Sequence, residues 1–312
     1  MEVKKVLFVL VVFLISVLLI KINNNDSNKI ISHSLEGMPI VKNPNPQIAQ
    51  YYYGDPKEDR GPEYKKFLSK SVKISISGSM GSGTIVYFDK INNEAYVASC
   101  GHLWSGTRDV NSLKYSPLTC KLIVWYQNDM KLSKPKEYVA NVLFYSNVPN
   151  YDCSLLKFRP DWVPTYFPIA SADYKLTSGQ KLNSLGSDSG SEAARYEVEF
   201  YGYDNYTYGL NLENIITLKN TPRPGRSGGG LITNDGLYVG TCVATTDTSG
   251  QSGSGIFTSI KGIETTYIKN GYEWLLKVSR LTADKIPIIN MNEGSDLPNE
   301  INFPQNPISL PN

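Results

Sequence analysis

Two histidines in 312 residues, His33 and His102, make any imidazole chemistry easy to locate. His33 lies in a polar stretch ahead of the first strand-like run, whereas His102 closes Val97-Ala98-Ser99-Cys100-Gly101-His102, a β-favouring run ending in a short loop. A neutral imidazole in such a place is the usual base for a serine hydroxyl at neutral pH. A matching serine stands in Gly225-Arg226-Ser227-Gly228-Gly229, where glycines allow a tight turn whose amides can converge on an oxyanion. Between them comes Tyr151-Asp152-Cys153-Ser154-Leu155-Leu156, an aspartate just before an apolar strand. Buried, its carboxylate would fix the imidazole tautomer and stabilise the imidazolium. Each string also has a plainer reading: a Gly/Ser hairpin turn, a hydrogen-bonded structural histidine, a turn or cap aspartate. Their joint order of His, Asp and Ser, with all three at the ends of strand-like runs, singles them out.

These side chains need a frame, and the sequence between about Lys66 and Ser259 supplies short β-favouring runs: SVKISIS, GTIVYF, EAYVAS, KLIVWY, YVANVLFY, CSLLKF, YEVEFYGY, NIITL, GGLIT, LYVGTCVA and GIFTSI. Helical patterns do not intervene, so a β-barrel or β-sandwich is expected rather than a parallel α/β sheet. After Ile260, the spacing of Ile263, Tyr267, Tyr272, Leu275 and Leu276 predicts a terminal helix broken near Asn270-Gly271. At the other end, residues 6–20 form an apolar run with Lys4 and Lys5 before it and Lys21 after. This predicts an N-terminal hydrophobic helix that contacts a membrane. The following KINNNDSNK lacks a small-x-small cleavage pattern, which favours an uncleaved signal anchor over a removed signal peptide. The paired lysines favour a cytoplasmic N-terminus and an extracytoplasmic domain, with secretion as the alternative. The expected organisation is residues 1–21 as anchor or signal, 22–65 as polar spacer, 66–281 as the chemical domain and 282–312 as a disordered Pro/Asn-rich tail.

Composition narrows the function classes. Apolar residues at 41% with 25 glycines suit a globular domain and exclude wholesale disorder. Lys plus Arg is 31 against 29 for Asp plus Glu, a net charge of +2 that carries no footprint for nucleic acid. Four cysteines (Cys100, Cys120, Cys153, Cys242) without C-x-x-C spacing, and so little histidine, supply a zinc site poorly, so no metal is expected. Four cysteines allow three pairings, which the spacing leaves open.

Taken together, residues from about Lys66 to Leu281 resemble the trypsin-like (chymotrypsin-fold) serine peptidases of the short single-chain bacterial and viral type. GSGTIVYF followed by EAYVASCGH is similar to the hairpin that leads to the family's histidine, and YDCSLLKF to its aspartate strand. PGRSGGGLITNDGLYVGTCVAT is similar to the nucleophile loop with the following hairpin and pocket strand, and GSGIF at 253–257 to the strand that closes the pocket. The resemblance implies two six-stranded antiparallel β-barrels with a C-terminal helix. It implies Ser227 as nucleophile, His102 as base, Asp152 as orienting carboxylate, and the amides of Gly225 and Ser227 as oxyanion hole. Protein or peptide substrates would be cut through an acyl-enzyme without a cofactor. The implied substrate pocket comprises Thr221, Cys242, Val243, Ala244, Thr245, Ser254 and Gly255; lacking a carboxylate, it disfavours Lys or Arg. Arg226 departs from the digestive relatives, which place an acid there to receive a freshly cut N-terminus. Val243 stands where many relatives carry a hydroxyl that supports the aspartate. The rival readings are a catalytically silent barrel acting as a binding module, and an unrelated β-rich surface domain.

Overall fold

Short runs of alternating apolar residues rich in Val, Ile and aromatics suit a pleated, half-buried surface, and here they close into two barrels. The computed structural model describes residues 61–76, 79–104, 118–147, 150–207, 210–245 and 254–283. Strands β1 (Ser71–Ile76), β2 (Ser79–Asp89), β3 (Glu94–Ser99), β4 (Leu118–Gln127), β5 (Met130–Ser146) and β6 (Cys153–Phe158) form the first barrel. Its order is β1-β2-β3-β6-β5-β4, closed by β1 on β4. Strands β7 (Lys181–Ser187), β8 (Ala193–Thr207), β9 (Leu210–Leu218), β10 (Gly230–Thr233), β11 (Tyr238–Thr245) and β12 (Gly255–Ser259) form the second. That order is β10-β11-β12-β9-β8-β7, closed by β10 on β7. Neighbouring strands are antiparallel throughout both barrels.

Local turn chemistry sets the registers. The β4–β5 hairpin turns on Asn128-Asp129, both at positive φ (47° and 64°), a conformation that Asn and Asp tolerate in two-residue turns. Asp89 begins the β2–β3 turn by accepting the amides of Ile91 and Asn92 on Oδ1 at 2.9 and 3.2 Å. Inward-facing Val72, Ile74, Ile85, Val97, Leu122 and Leu156 fill the first barrel. A second apolar cluster joins Val86, Phe144 and Leu155 of the first barrel to Leu182, Val198, Leu231 and Phe257 of the second. The two barrels are therefore joined by a shared apolar cluster beside the first barrel's own core, and burying it holds them together.

The chain crossing between barrels pairs with both: the Phe167 amide donates to Ile85 O at 3.0 Å and the Tyr238 amide to Pro168 O at 2.8 Å. Helix α1 (Pro62–Leu68) precedes β1, and α2 (Ile260–Lys269) and α3 (Glu273–Ala283) follow β12. Ser279 of α3 fastens that end, donating to Val86 O at 3.0 Å and accepting the Ile169 amide at 2.9 Å.

The double barrel agrees with the expected architecture, and the predicted break at Asn270-Gly271 separates α2 from α3, with Gly271 at φ 81°. Two elements differ from the sequence reading. Helix α1 begins within residues read as spacer, and β7, KLNSLGS, is a strand where no run was recognised. Its Asn, Ser and Gly residues are nonetheless all buried: Asn183 Nδ2 donates to Asn234 Oδ1 at 2.9 Å, whereas the Ser184 and Ser187 hydroxyls have no hydrogen-bond partner among the described residues. The apolar run 6–20, the rest of the spacer and residues beyond 283 lie outside the described residues. Among the described residues, no helix is long and apolar enough to cross a membrane.

Candidate active site

Gly101 precedes the imidazole where a side chain would collide with backbone: a Cβ would overlap the carbonyl of Ser146. The close approach lets the loop after β3 lie against the start of β6. His102 opens a 3-10 turn, His102–Trp104, whose buried Trp104 donates from Nε1 to Ser154 Oγ at 3.2 Å. Ser154 in turn donates to Cys100 O at 2.8 Å, tying the histidine loop to the strand that follows Asp152.

Asp152 is buried and takes three N–H groups. Its Oδ1 accepts the amides of Gly101 and His102 at 2.5 and 2.8 Å, and its Oδ2 lies 2.6 Å from His102 Nδ1. With Nδ1–H donating to the carboxylate, the other ring nitrogen, Nε2, keeps its lone pair and can accept a proton. The imidazole is about one-third exposed, its carboxylate partner 7%. Of the pair, the imidazole is the part that reaches solvent, while the carboxylate that holds it stays dry. From the second barrel, Thr258 Oγ1 donates to Asp152 O at 2.8 Å. Among the described residues, no β11 hydroxyl reaches the carboxylate, in keeping with Val243; the two backbone amides occupy Oδ1 instead.

Ser227 arrives from the other side on a loop that ends in β10. The turn Arg223-Pro224-Gly225-Arg226 closes with the Arg226 amide on Arg223 O at 3.1 Å, and Gly225 takes φ 93°, which places it at the glycine position of a type II turn. Gly228, at φ 86°, leaves no room for a Cβ against Ser99 Oγ and Ser82 O. The serine loop thus nests on the strand ends that carry His102, and Ser227 O accepts the Ser82 amide at 2.7 Å. Gly81 touches both sides: a Cβ there would meet the Leu103 side chain and stand 3.0 Å from Ser227 O.

The structure thus brings the His102, Asp152 and Ser227 segments to one junction between the barrels. The expected direct bond from Ser227 to the imidazole is absent among the described residues; Nε2 instead faces Cys100 Sγ at 3.7 Å. The amides of Gly225 and Ser227 donate no hydrogen bond among the described residues, which leaves both available to an anion.

The sequence-predicted pocket residues gather at one end of β11 and β12. Thr245 pairs with Gly255 and Ala244 with Ile256 across a bulge at Cys242–Ala244. Gly255 lies close against Thr217 Oγ1 and Pro222 Cδ, the latter beside buried Thr221. Ser254 is buried, and Val243, Ala244 and Thr245 are half-buried. Residues 246–253, which join the two strands, lie outside the described residues.

All four cysteines are free and buried. Burial pushes the thiols of Cys120, Cys153 and Cys242 up to about 12, and burial together with the Asp152 charge pushes Cys100 well above 9. Donor atoms of Cys100, His102 and Asp152 lie within 4.8 Å of one another. The Asp152 carboxylate is already engaged by His102 Nδ1 and by the amides of Gly101 and His102. The group reads as an acid–base pair beside a buried thiol. Sequence reasoning missed Asp188, which holds Arg226; β7, the strand leading to it, carries no apolar alternation that would have marked it.

Two closed antiparallel barrels, with a His–Asp pair on one and a glycine-set serine on the other, define the double-barrel class of serine peptidases. The chain belongs to the trypsin-like peptidase domain family, whose model matches residues 81–241. No curated protein sequence matches it significantly. Among solved structures it is similar in fold to the HtrA-type protease AlgW with tripeptide, at 19% identity and a TM-score of 0.50 over 67% of this chain and 64% of that one. The Rv3671c protease from M. tuberculosis in its active form matches at 19% identity and a TM-score of 0.48, covering 70% and 87% of the two chains. The MamO protease domain from Magnetospirillum magneticum matches at 16% identity and a TM-score of 0.45, covering 64% and 97%.

Proposed function

We propose that the protein is a serine endopeptidase in which Ser227 Oγ attacks the scissile carbonyl carbon and His102 Nε2 takes the hydroxyl proton. The observation that carries this reading is the 2.6 Å contact between His102 Nδ1 and buried Asp152, which leaves Nε2 basic at the junction where Ser227 sits. The tetrahedral oxyanion is held by the amides of Gly225 and Ser227. His102 then returns the proton to the leaving amine, the C–N bond breaks, and water hydrolyses the acyl-enzyme by the same route. Substrate binding brings Ser227 Oγ onto Nε2, a bond that commonly tightens only in the occupied site.

The pocket formed by Thr221, Cys242, Val243, Ala244, Thr245, Ser254 and Gly255 contains no carboxylate. A Lys or Arg side chain would lose its hydration there without a counter-charge, so cleavage follows small or medium uncharged residues. The apolar run 6–20, with Lys4 and Lys5 before it, tethers the enzyme to a membrane with the barrels outside the cytoplasm.

A second reading, a silent barrel that binds peptides without cutting them, is favoured by Cys100 Sγ standing 3.7 Å from Nε2. Labelling of the full-length protein with a fluorophosphonate probe separates the two. Labelling that disappears in Ser227→Ala supports the peptidase, and a wild-type protein that refuses the probe while binding peptides supports the silent barrel.

A further inference from the structure

Arg226, the residue before Ser227, is one of the largest fully buried side chains in the molecule. Taking a guanidinium out of water costs several kcal/mol unless it is paired and hydrogen-bonded, so its partners carry the meaning. They are complete. Nε donates to Asp188 Oδ1 at 2.8 Å and Nη2 to Oδ2 at 3.3 Å, while Nη1 donates to the carbonyls of Ser184 at 3.0 Å and Ala194 at 3.3 Å. The guanidinium lies 4.0 Å from the centroid of the Tyr196 ring, and Tyr196 Oη donates to Asp188 Oδ2 at 2.5 Å. An apolar residue would fill this space without an electrostatic debt. A paired charge here fixes one geometry rather than merely occupying volume.

The geometry it fixes is that of the turn Asp188–Gly190, which ends β7. Ser189 at its centre is held at φ 48°, ψ 29°, a left-handed conformation uncommon for serine. Its amide donates to Pro224 O at 2.6 Å. In a planar trans peptide the C=O and N–H point in opposite directions. Anchoring Pro224 O therefore aims the Gly225 N–H away from the turn. The next carbonyl, Gly225 O, is held by Ser82 Oγ at 2.8 Å, and the same hydroxyl accepts the Ser187 amide at 2.8 Å. Arg226 O accepts the Gly229 amide at 2.9 Å, which by the same planarity sets the direction of the Ser227 N–H. Both anion-binding amides are thus aimed by clamps on their opposite faces.

We propose that Asp188 and Arg226 are a positioning pair that locks the loop 223–227 in its anion-binding form, acting through the Ser189–Pro224 contact, so that the uncleaved chain is already competent. Neither side chain touches substrate; the pair acts through the Gly225 amide. The inference rests on the reading of Ser227 as nucleophile. A charge-reversed pair supplied from within the chain replaces the need for a newly cut N-terminus, since the residue before the serine is here the cation and its partner the acid.

The test uses the full-length protein with fluorophosphonate labelling and hydrolysis of fluorescein-labelled casein. Asp188→Asn keeps the side-chain shape but removes the charge. It is expected to lower kcat by about 10²–10³, the effect of losing one oxyanion donor, with KM within about threefold of wild type. Tyr196→Phe keeps the ring over the guanidinium and deletes the hydroxyl that donates to Asp188. It is expected to lower kcat by about three- to tenfold with the melting temperature nearly unchanged, and it decides the matter should Asp188→Asn fail to fold. A merely structural role would shift melting and leave kcat of the folded fraction intact. An unchanged kcat in either folded variant overturns the positioning pair, as does wild-type labelling that requires prior cleavage of the chain. Absence of Ser227-dependent labelling in wild type overturns the nucleophile reading itself and the role of the pair with it.

Discussion

The two barrels deliver their halves of the site by different means. In the first, His102 and Asp152 are held by strand neighbours: β3 pairs with β6, and the carboxylate reaches back across that ladder to the Gly101 and His102 amides. In the second, Ser227 rides a loop held by an ion pair to Asp188, just past β7, and by Ser82 of the opposite barrel. A base needs one nitrogen in one direction, which a ladder supplies. The proposed oxyanion hole needs two peptide planes oriented, Pro224–Gly225 and Arg226–Ser227 with one plane between them, and a ladder would consume the same amides. Clamping carbonyls from outside leaves those N–H groups open.

The sharpest break in this comparison is Ser227→Ala. It removes the proposed nucleophile without touching either holding device, so casein hydrolysis should fall by on the order of 10⁶ while thermal unfolding stays within a few degrees of wild type. Turnover near the wild-type level would sink the assignment. Asp152→Asn attacks the first-barrel device. An amide nitrogen turned toward His102 Nδ1 imposes the wrong tautomer and should lower kcat by on the order of 10⁴. The amide oxygen still accepts the Gly101 and His102 N–H groups, so only the acceptor's charge is lost there, and a stability loss of about 1 kcal/mol in urea titration should accompany it.

A pair of alanine substitutions compares the two devices as packing. Gly101→Ala drives a methyl into the Ser146 carbonyl, and Gly228→Ala places one against Ser99 and Ser82 at φ 86°. Each should destabilise by about 2–4 kcal/mol. Gly228→Ala should also reduce Ser227 labelling in the folded fraction, since the serine shares its turn. Equal stability to wild type in either variant would show that the junction yields more readily than its contacts imply.

The sequence made the first-barrel device legible because its parts are local. EAYVASCGH and YDCSLLKF each bring a chemical residue to the end of an apolar strand, and sheet pairing does the rest. The serine turn was equally visible in its glycines. The missing part was Asp188. Strand β7 is built of Lys, Leu, Asn, Ser and Gly, and its place inside the barrel follows from pairing with β8 and β10, which its own periodicity does not encode. Arg226 stood out as a departure from digestive relatives, but its partner lies 38 residues earlier in the chain. Helix α1 was similarly hidden, because PEYKKFL offers little apolar periodicity, with Phe67 and Leu68 its buried apolar residues among those described. Pairing at a distance, rather than propensity, decided what could be read.

The smallest expected effect concerns whether the two devices sit on one folding unit. Burial pushes Cys120 and Cys153 of the first barrel and Cys242 of the second up to about 12 from an ordinary 9.0. A raised folded value means that the neutral thiol is preferred in the native state. Its stabilising contribution is complete below about pH 9 and is lost as pH rises toward 12, because only the unfolded chain gains by ionising. Each thiol should therefore remove about 1 kcal/mol per pH unit above pH 9. The apolar cluster that spans both barrels couples the losses, so urea unfolding at pH 10 should remain a single transition at a lower midpoint. Cys120→Ala and Cys242→Ala should flatten the alkaline decline by similar amounts despite lying in different barrels. Below pH 9 the folded protein should react with a disulfide-exchange reagent only after denaturation. Two separated transitions, with Cys120→Ala altering one and Cys242→Ala the other, would show that the barrels fold independently and that the junction alone aligns the site.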